Sequence, residues 1–194
     1  MEMSANPIET TVKPRIATQK IVLGLGIASI IMLFAGLTSG YIVRQAEGRW
    51  AHFEIPVVFY VSTAIILLSS VTHHLAVLAV KKNKLQETKN MLILTLGLGL
   101  AFVFTQFMGW NELVKNGVHF VDRTTPSGSF FFVLTGLHLA HIFFGILGLI
   151  ITSAKSIRER YSADNYLGIS LSAIYWHFLD GLWIYLFVFL AVYR

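Results

Sequence analysis

Five apolar runs, each long enough to cross a bilayer as a helix, constrain this chain more than any other feature. A hydrocarbon core about 30 Å thick takes about 20 residues of α-helix at 1.5 Å each. Runs of that length lie at about 20–43, 56–80, 91–110, 128–152 and 169–193. Hydrophobic residues make up 55% of the 194 and charged ones 13%, with a mean hydropathy of +0.67, a balance foreign to an ordinary soluble domain. None of the runs alternates with period two in the way a spanning barrel requires. The expected fold is an all-α integral membrane bundle of five transmembrane helices. A tail, 1–19, precedes a single domain, 20–194. The longest loops, about 44–55 and 111–127, are too short to fold alone, and no internal repeat or pair of broken helices is evident.

Loop charges set the expected orientation. Lys13, Arg15 and Lys20 flank the first run, Lys81, Lys82, Lys84 and Lys89 lie between the second and third, and Lys155, Arg158 and Arg160 between the fourth and fifth: ten basic residues on one side. Arg44, Arg49, Lys115, Arg123 and Arg194 put five on the other. Basic loops stay inside, so the N-terminus and tail are expected in the cytoplasm and the C-terminus in the periplasm. Trp50 and Trp110 then fall near the outer interface. The net charge of +5 points to anionic lipid headgroups, and not to nucleic acid, as partners of the basic loops. The tail lacks the pattern of a removable signal peptide. With no cysteine, this chain holds no disulfide, thiolate zinc site or iron–sulfur cluster.

Between helices in lipid, small residues mark close packing. Gly97, Ala101, Thr105 and Gly109 recur every four residues in the third run, Gly36 and Gly40 pair in the first, and Gly136 and Ala140 in the fourth. Such stripes join the five helices to one another or face another subunit, and the first use leads.

Ionisable groups deep in a bilayer persist only when paired or facing protein or water. The set here is His73 and His74 in the second run, His138 and His141 in the fourth, and His177 and Asp180 in the fifth, joined by Gln106 in the third. His138 with His141, and His177 with Asp180, are three residues apart and share a helix face. Both His141 and Asp180 fall near mid-membrane. They are expected to meet, with an imidazole N–H donating to the carboxylate and helices four and five fastened together. Two other uses stay open: ligation of a haem or metal, and a proton path. His52 and His119, with Glu54 and Glu112, are read as solvated loop residues.

Three motifs together carry a family resemblance: YWHFLDGLW at 175–183, TGLHLAHIFFG at 135–145, and GSFFFVLTGLH leading into it. Over about residues 18–194 the chain resembles subunit III of haem–copper oxygen reductases, the cytochrome c oxidase group, in a five-span bacterial form. The resemblance implies a non-redox structural subunit of a respiratory terminal oxidase that reduces O₂ to water with proton translocation. It implies no metal or cofactor on this chain, with haems and copper in partner subunits. Catalytic subunit I and other oxidase subunits are the implied partners, in a bacterial inner membrane. This chain would stabilise the catalytic subunit, with proton entry as a further candidate role. Phospholipid and a respiratory supercomplex are candidate partners. His138, His141, His177, Asp180 and Trp183 fall on the family's signature positions, and Gln106 on the glutamine that begins its helix-three pattern.

Two departures stand out. Ile30 occupies the position of a family glutamate in helix one, and Gly109 that of another in helix three, so Asp180 is left as the one carboxylate well inside the membrane. Both losses favour a structural role for the polar set over proton conduction. Two rival readings remain: an accessory subunit of nitric oxide reduction with the same fold, and a small di-histidine haem cytochrome.

Overall fold

A computed structural model describes residues 7–48, 50–120 and 126–193, with side chains from Thr18 onward. Lys13, Arg15, Arg49, Arg123 and Arg194, used for the expected orientation, lie outside the residues whose side chains are described. Five helices follow in order: α1 (Pro7–Gln45), α2 (Val57–Lys81), α3 (Leu85–Lys115), α4 (Ser127–Ile157) and α5 (Leu167–Tyr193). All five are long and apolar enough to cross a membrane, and no strand occurs among the described residues. The fold is the all-α five-span bundle expected. The helices outrun the apolar runs because hydropathy marks the hydrocarbon layer, whereas backbone hydrogen bonding continues into the polar interface until a residue such as Asn83 stops it. Asn83, at φ 56°, adopts the left-handed conformation that turns α2 into α3, a conformation asparagine tolerates better than most residues.

The helices do not share the packing equally. α2 packs along α3, α3 on α4, α4 on α5 and α5 back on α2, so these four close a ring. α1 leans on the outside against α4 and α5; 11% of its most apolar stretch is buried, against 50% for α5. Its inward face is Phe34, Thr38 and Tyr41, spaced by four and three residues as one helix face requires. Thr38 shares a 3.0 Å hydrogen bond with the Tyr185 hydroxyl, and Tyr41 donates to the Tyr193 carbonyl at 3.1 Å.

Glycine sets the closeness of the ring. A Cβ at Gly99 would lie 2.8 Å from Cη2 of Trp176, and one at Gly109 would lie 2.6 Å from Cζ of Phe59. Gly36, Gly40 and Gly97 face open space, and Gly136 meets only the edge of Trp110 at 3.8 Å. Of the small-residue stripes, Gly109 therefore carries a close contact, Ala101 and Thr105 are half-buried, and Ala140 is exposed.

Outside the membrane, Lys89 donates to Glu159 at 2.9 Å, tying α3 to the turn after α4. That bond holds the Glu159 carboxyl below its ordinary pKa of 4.5. A lowered folded pKa means that the pair's contribution is present above the unfolded value and disappears as pH falls through the folded one. Thermal unfolding in detergent should therefore show Lys89→Met slightly less stable than the parent chain at neutral pH and indistinguishable from it in acid. In the same assay Gly99→Ala should cost about 1–3 kcal/mol by overpacking against Trp176, whereas Gly36→Ala should stay within about 0.5 kcal/mol.

Candidate functional site

Buried positions on α2 are Phe59, Ser62, Ile66, Ser69, His73, Ala76, Ala79 and Val80, and on α3 Thr88, Leu92, Thr95, Gly99, Phe102, Gln106, Gly109 and Leu113. Steps of three and four alternate, the spacing of helices packed at a shallow angle with interlocked side chains. Many of these seam positions are small or polar. In lipid this is the composition that lets backbones approach and hydrogen bonds cross.

Two tryptophans of α5 organise the seam. Trp176 and Trp183 are fully buried. Trp176 lies against Gly99 of α3 and Gly145 of α4, and its Nε1–H donates to Ser69 of α2 at 3.1 Å. Ser69 in turn donates to the Thr95 carbonyl of α3 at 3.3 Å. One indole thus reaches three neighbouring helices. Trp183 donates to Thr63 of α2 at 3.0 Å and packs edge-on to Phe102 at 5.2 Å. Gln106 of α3 donates to Ser62 at 3.0 Å, and Trp110 to Thr135 of α4 at 3.1 Å. Every adjacent pair in the ring except α4–α5 has at least one short cross-bond; there the link is the longer Tyr175 hydroxyl to His141 carbonyl bond of 3.4 Å.

The ionisable set divides into two groups. His177 shares a 2.6 Å hydrogen bond between Nδ1 and the Ser70 hydroxyl of α2, and its Nδ1 lies 4.0 Å from Asp180 Oδ2, too far for a hydrogen bond. The rings of His73 and His74 stand 5.9 and 6.2 Å from that of His177. Asp180 is 2% exposed, and neither carboxyl oxygen has a partner in hydrogen-bond geometry, although the Ser70 hydroxyl is close enough to act on it. On α4, His138 is fully buried between Trp183, at 5.3 Å, and Phe102, at 6.1 Å, with both nitrogens unpartnered. His141 donates from Nδ1 to its own helix at the Leu137 carbonyl, 2.6 Å away, and faces Phe34 of α1.

The expected bond from His141 to Asp180 is thus not the arrangement observed. Residues three apart on a helix still diverge by about 60°. That angle turns His138 toward α3 and α5 and His141 toward α1. Asp180 and His177 face α2 instead, where Ser70, His73 and His74 wait. Sequence reading missed Ser62, Thr63, Ser69, Ser70 and Trp176. Their signal was present as hydroxyl residues seven apart, Ser62 with Ser69 and Thr63 with Ser70, on one flank of an apolar run.

What this geometry defines is a membrane-spanning helix bundle held by buried cross-helix hydrogen bonds. Among the described residues no three histidine or carboxylate side chains are grouped so as to hold a metal ion. Residues 49–194 match the family of cytochrome c oxidase subunit III. A protein named cytochrome c oxidase subunit 3 from Corynebacterium diphtheriae is 29% identical over 166 residues, covering 81% of this chain and 80% of its own. One of the same name from Thermostichus vulcanus is 30% identical over 169 residues, covering 83% and 80%. That of Salmo salar is 33% identical over 139 residues, 70% of this chain and 49% of its own, so this chain spans about half the length of the fish protein. The chain belongs to the cytochrome c oxidase subunit III family.

Because Trp176 joins three helices, its replacement should be costly in proportion to what is removed. Trp176→Phe, which keeps an aromatic ring but loses the bond to Ser69, should cost about 0.5–2 kcal/mol. Trp176→Ala should cost about 3–5 kcal/mol. Equilibrium unfolding in mixed micelles would measure both.

Proposed function

We propose that this chain is the non-redox structural subunit III of a respiratory terminal oxidase in a bacterial inner membrane, bracing the catalytic haem–copper subunit I. The complex so assembled reduces O₂ to water and translocates protons. The family match over residues 49–194 carries this reading, because it takes in all four helices of the ring and every cross-helix bond between them. In this reading the N-terminus is cytoplasmic, and the basic loop at 81–84 and the turn at 158–160 meet anionic headgroups.

The geometry supports a bracing role over a redox one. A porphyrin between His73 and His177 would have to part α2 from α5, which the Trp176–Ser69 and Trp183–Thr63 bonds hold in direct contact. His138 and His141 point at different neighbours, Trp183 and Phe34. These residues do not fit a bis-histidine haem. The oxidase reading is favoured over nitric oxide reduction by the names of the three relatives given above, each cytochrome c oxidase subunit 3.

Purification in mild detergent should yield this chain together with a larger haem- and copper-containing polypeptide, with haem absorption in the complex. The chain separated from it should be colourless. A Soret band on the separated chain that disappears in His141→Ala would overturn the reading, as would recovery of the chain without any haem-containing partner.

A further inference from the structure

At the basic end of the bundle the α2–α3 hairpin leaves an open groove of ≈ 280 Å³. Its inner part is apolar: Leu75, Leu78 and Ala79 come from α2 and Met91 from α3. Leu75 and Leu78 are 44% and 40% exposed, so nothing in this chain covers the α2 wall. The mouth is charged. Lys82, just past the end of α2, and Lys84 and Glu87, at the start of α3, stand around it, all exposed. The left-handed residue Asn83 sets the two lysines on either side of the turn, and backbone bonds from Asn83 to Val80 (2.9 Å) and from Lys84 to Ala79 (3.0 Å) hold it. Lys84 donates to Glu87 at 2.7 Å. The Lys82 ammonium has no hydrogen bond or ion pair among the described residues.

We infer that this groove is a discrete site for one anionic phospholipid of the phosphatidylglycerol type, with its phosphodiester at Lys82 and Lys84 and an acyl chain along Leu75, Leu78 and Met91. The inference rests on the subunit III reading above, which puts the 81–84 loop at the cytoplasmic membrane surface. Shape and charge select the occupant. From Lys82 back to Leu75 the groove follows α2 for about 10 Å, from the headgroup layer into the hydrocarbon. It is charged at one end and apolar at the other, as an amphiphile is. A soluble anion such as inorganic phosphate would use the mouth and leave the apolar part uncovered. Two lysines against one glutamate leave one positive charge in excess, and a single phosphodiester neutralises it. A zwitterionic lipid brings its own cation and gains less from the same lysines. The long lysine stems let each ammonium stay in the interface while its methylenes lie on the apolar wall.

Photolabelling of the purified complex in phosphatidylcholine nanodiscs tests this. Phosphatidylglycerol with a diazirine in one acyl chain is added as a minor component, in parallel with a phosphatidylcholine probe of the same chains, and adducts are mapped by mass. The phosphatidylglycerol probe should label residues 75–91 several-fold more than the phosphatidylcholine probe does. Below saturation, Lys82→Gln should lower that yield about fivefold, the effect of one lysine beside an anionic headgroup, and added salt should lower it as well. Lys115→Gln, at the opposite end of α3, should leave it unchanged. Equal labelling by the two probes, no adduct within 75–91, an unchanged yield in Lys82→Gln, or an equal loss in Lys115→Gln would each overturn the inference. Any of these in a complex that keeps its haem absorption and its larger subunit would leave the subunit III reading standing. Absence of a haem-containing partner in the preparation would overturn both.

Discussion

Two indole N–H groups on α5, donated to hydroxyls on α2, are the interaction on which this bundle depends. In water a buried apolar seam is favourable in itself. In lipid it is not, because tails solvate leucine as well as another helix does. Association then has to come from close packing and from polar groups that have no other partner. Trp176 supplies both, with its ring in the space left by Gly99 and Gly145 and its N–H on Ser69. Trp183 repeats the arrangement two turns on, with Thr63 as acceptor and Phe102 across the seam. Since Ser69 passes its own hydrogen to the Thr95 carbonyl, the registers of α5, α2 and α3 are mutually fixed. Among the described residues the polar links of α1 to the ring run to the Tyr185 hydroxyl and the Tyr193 carbonyl of α5.

The number and order of helices were legible in the sequence because hydropathy and bilayer thickness leave little choice once five runs of the right length exist. The seam was harder to read. In a soluble helix the apolar stripe marks the buried face, but here both faces are apolar, and Leu67 and Leu68 outside look like Ile66 inside. What distinguishes the buried face is small and weakly polar residues, Ser62, Ser69, Thr95 and Gly99, whose signal is faint one residue at a time and clear only when the alternating steps of three and four are followed on two helices together. Gly36 and Gly40 show the converse. Their spacing matches a packing motif, yet α1 turns them outward and packs through Phe34, Thr38 and Tyr41.

The ionisable residues were found from the sequence, but their partners were not. Spacing along one helix says which residues share a face. It does not say which neighbour that face meets, and that depends on how the ring closes. Because α5 closes on both α4 and α2, Asp180 had two candidate neighbours, and the histidines of α4 drew attention by their charge. Ser70 did not, since a serine in a membrane helix ordinarily bonds back to its own backbone, as Thr38 and Thr152 do here.

Satisfied and unsatisfied polar atoms lie side by side in the interior of this bundle. Cross-helix bonds join every adjacent pair in the ring, and the Lys89–Glu159 pair ties the turn after α4 to α3. Those bonds would hold equally well in an isolated bundle. The buried groups without a hydrogen bond are held by packing instead: His138 sits between Trp183 and Phe102, His73 against the ring of His177, and Asp180 beside Ser70. Each costs stability relative to a satisfied group, and the cross-helix bonds around them offset that cost.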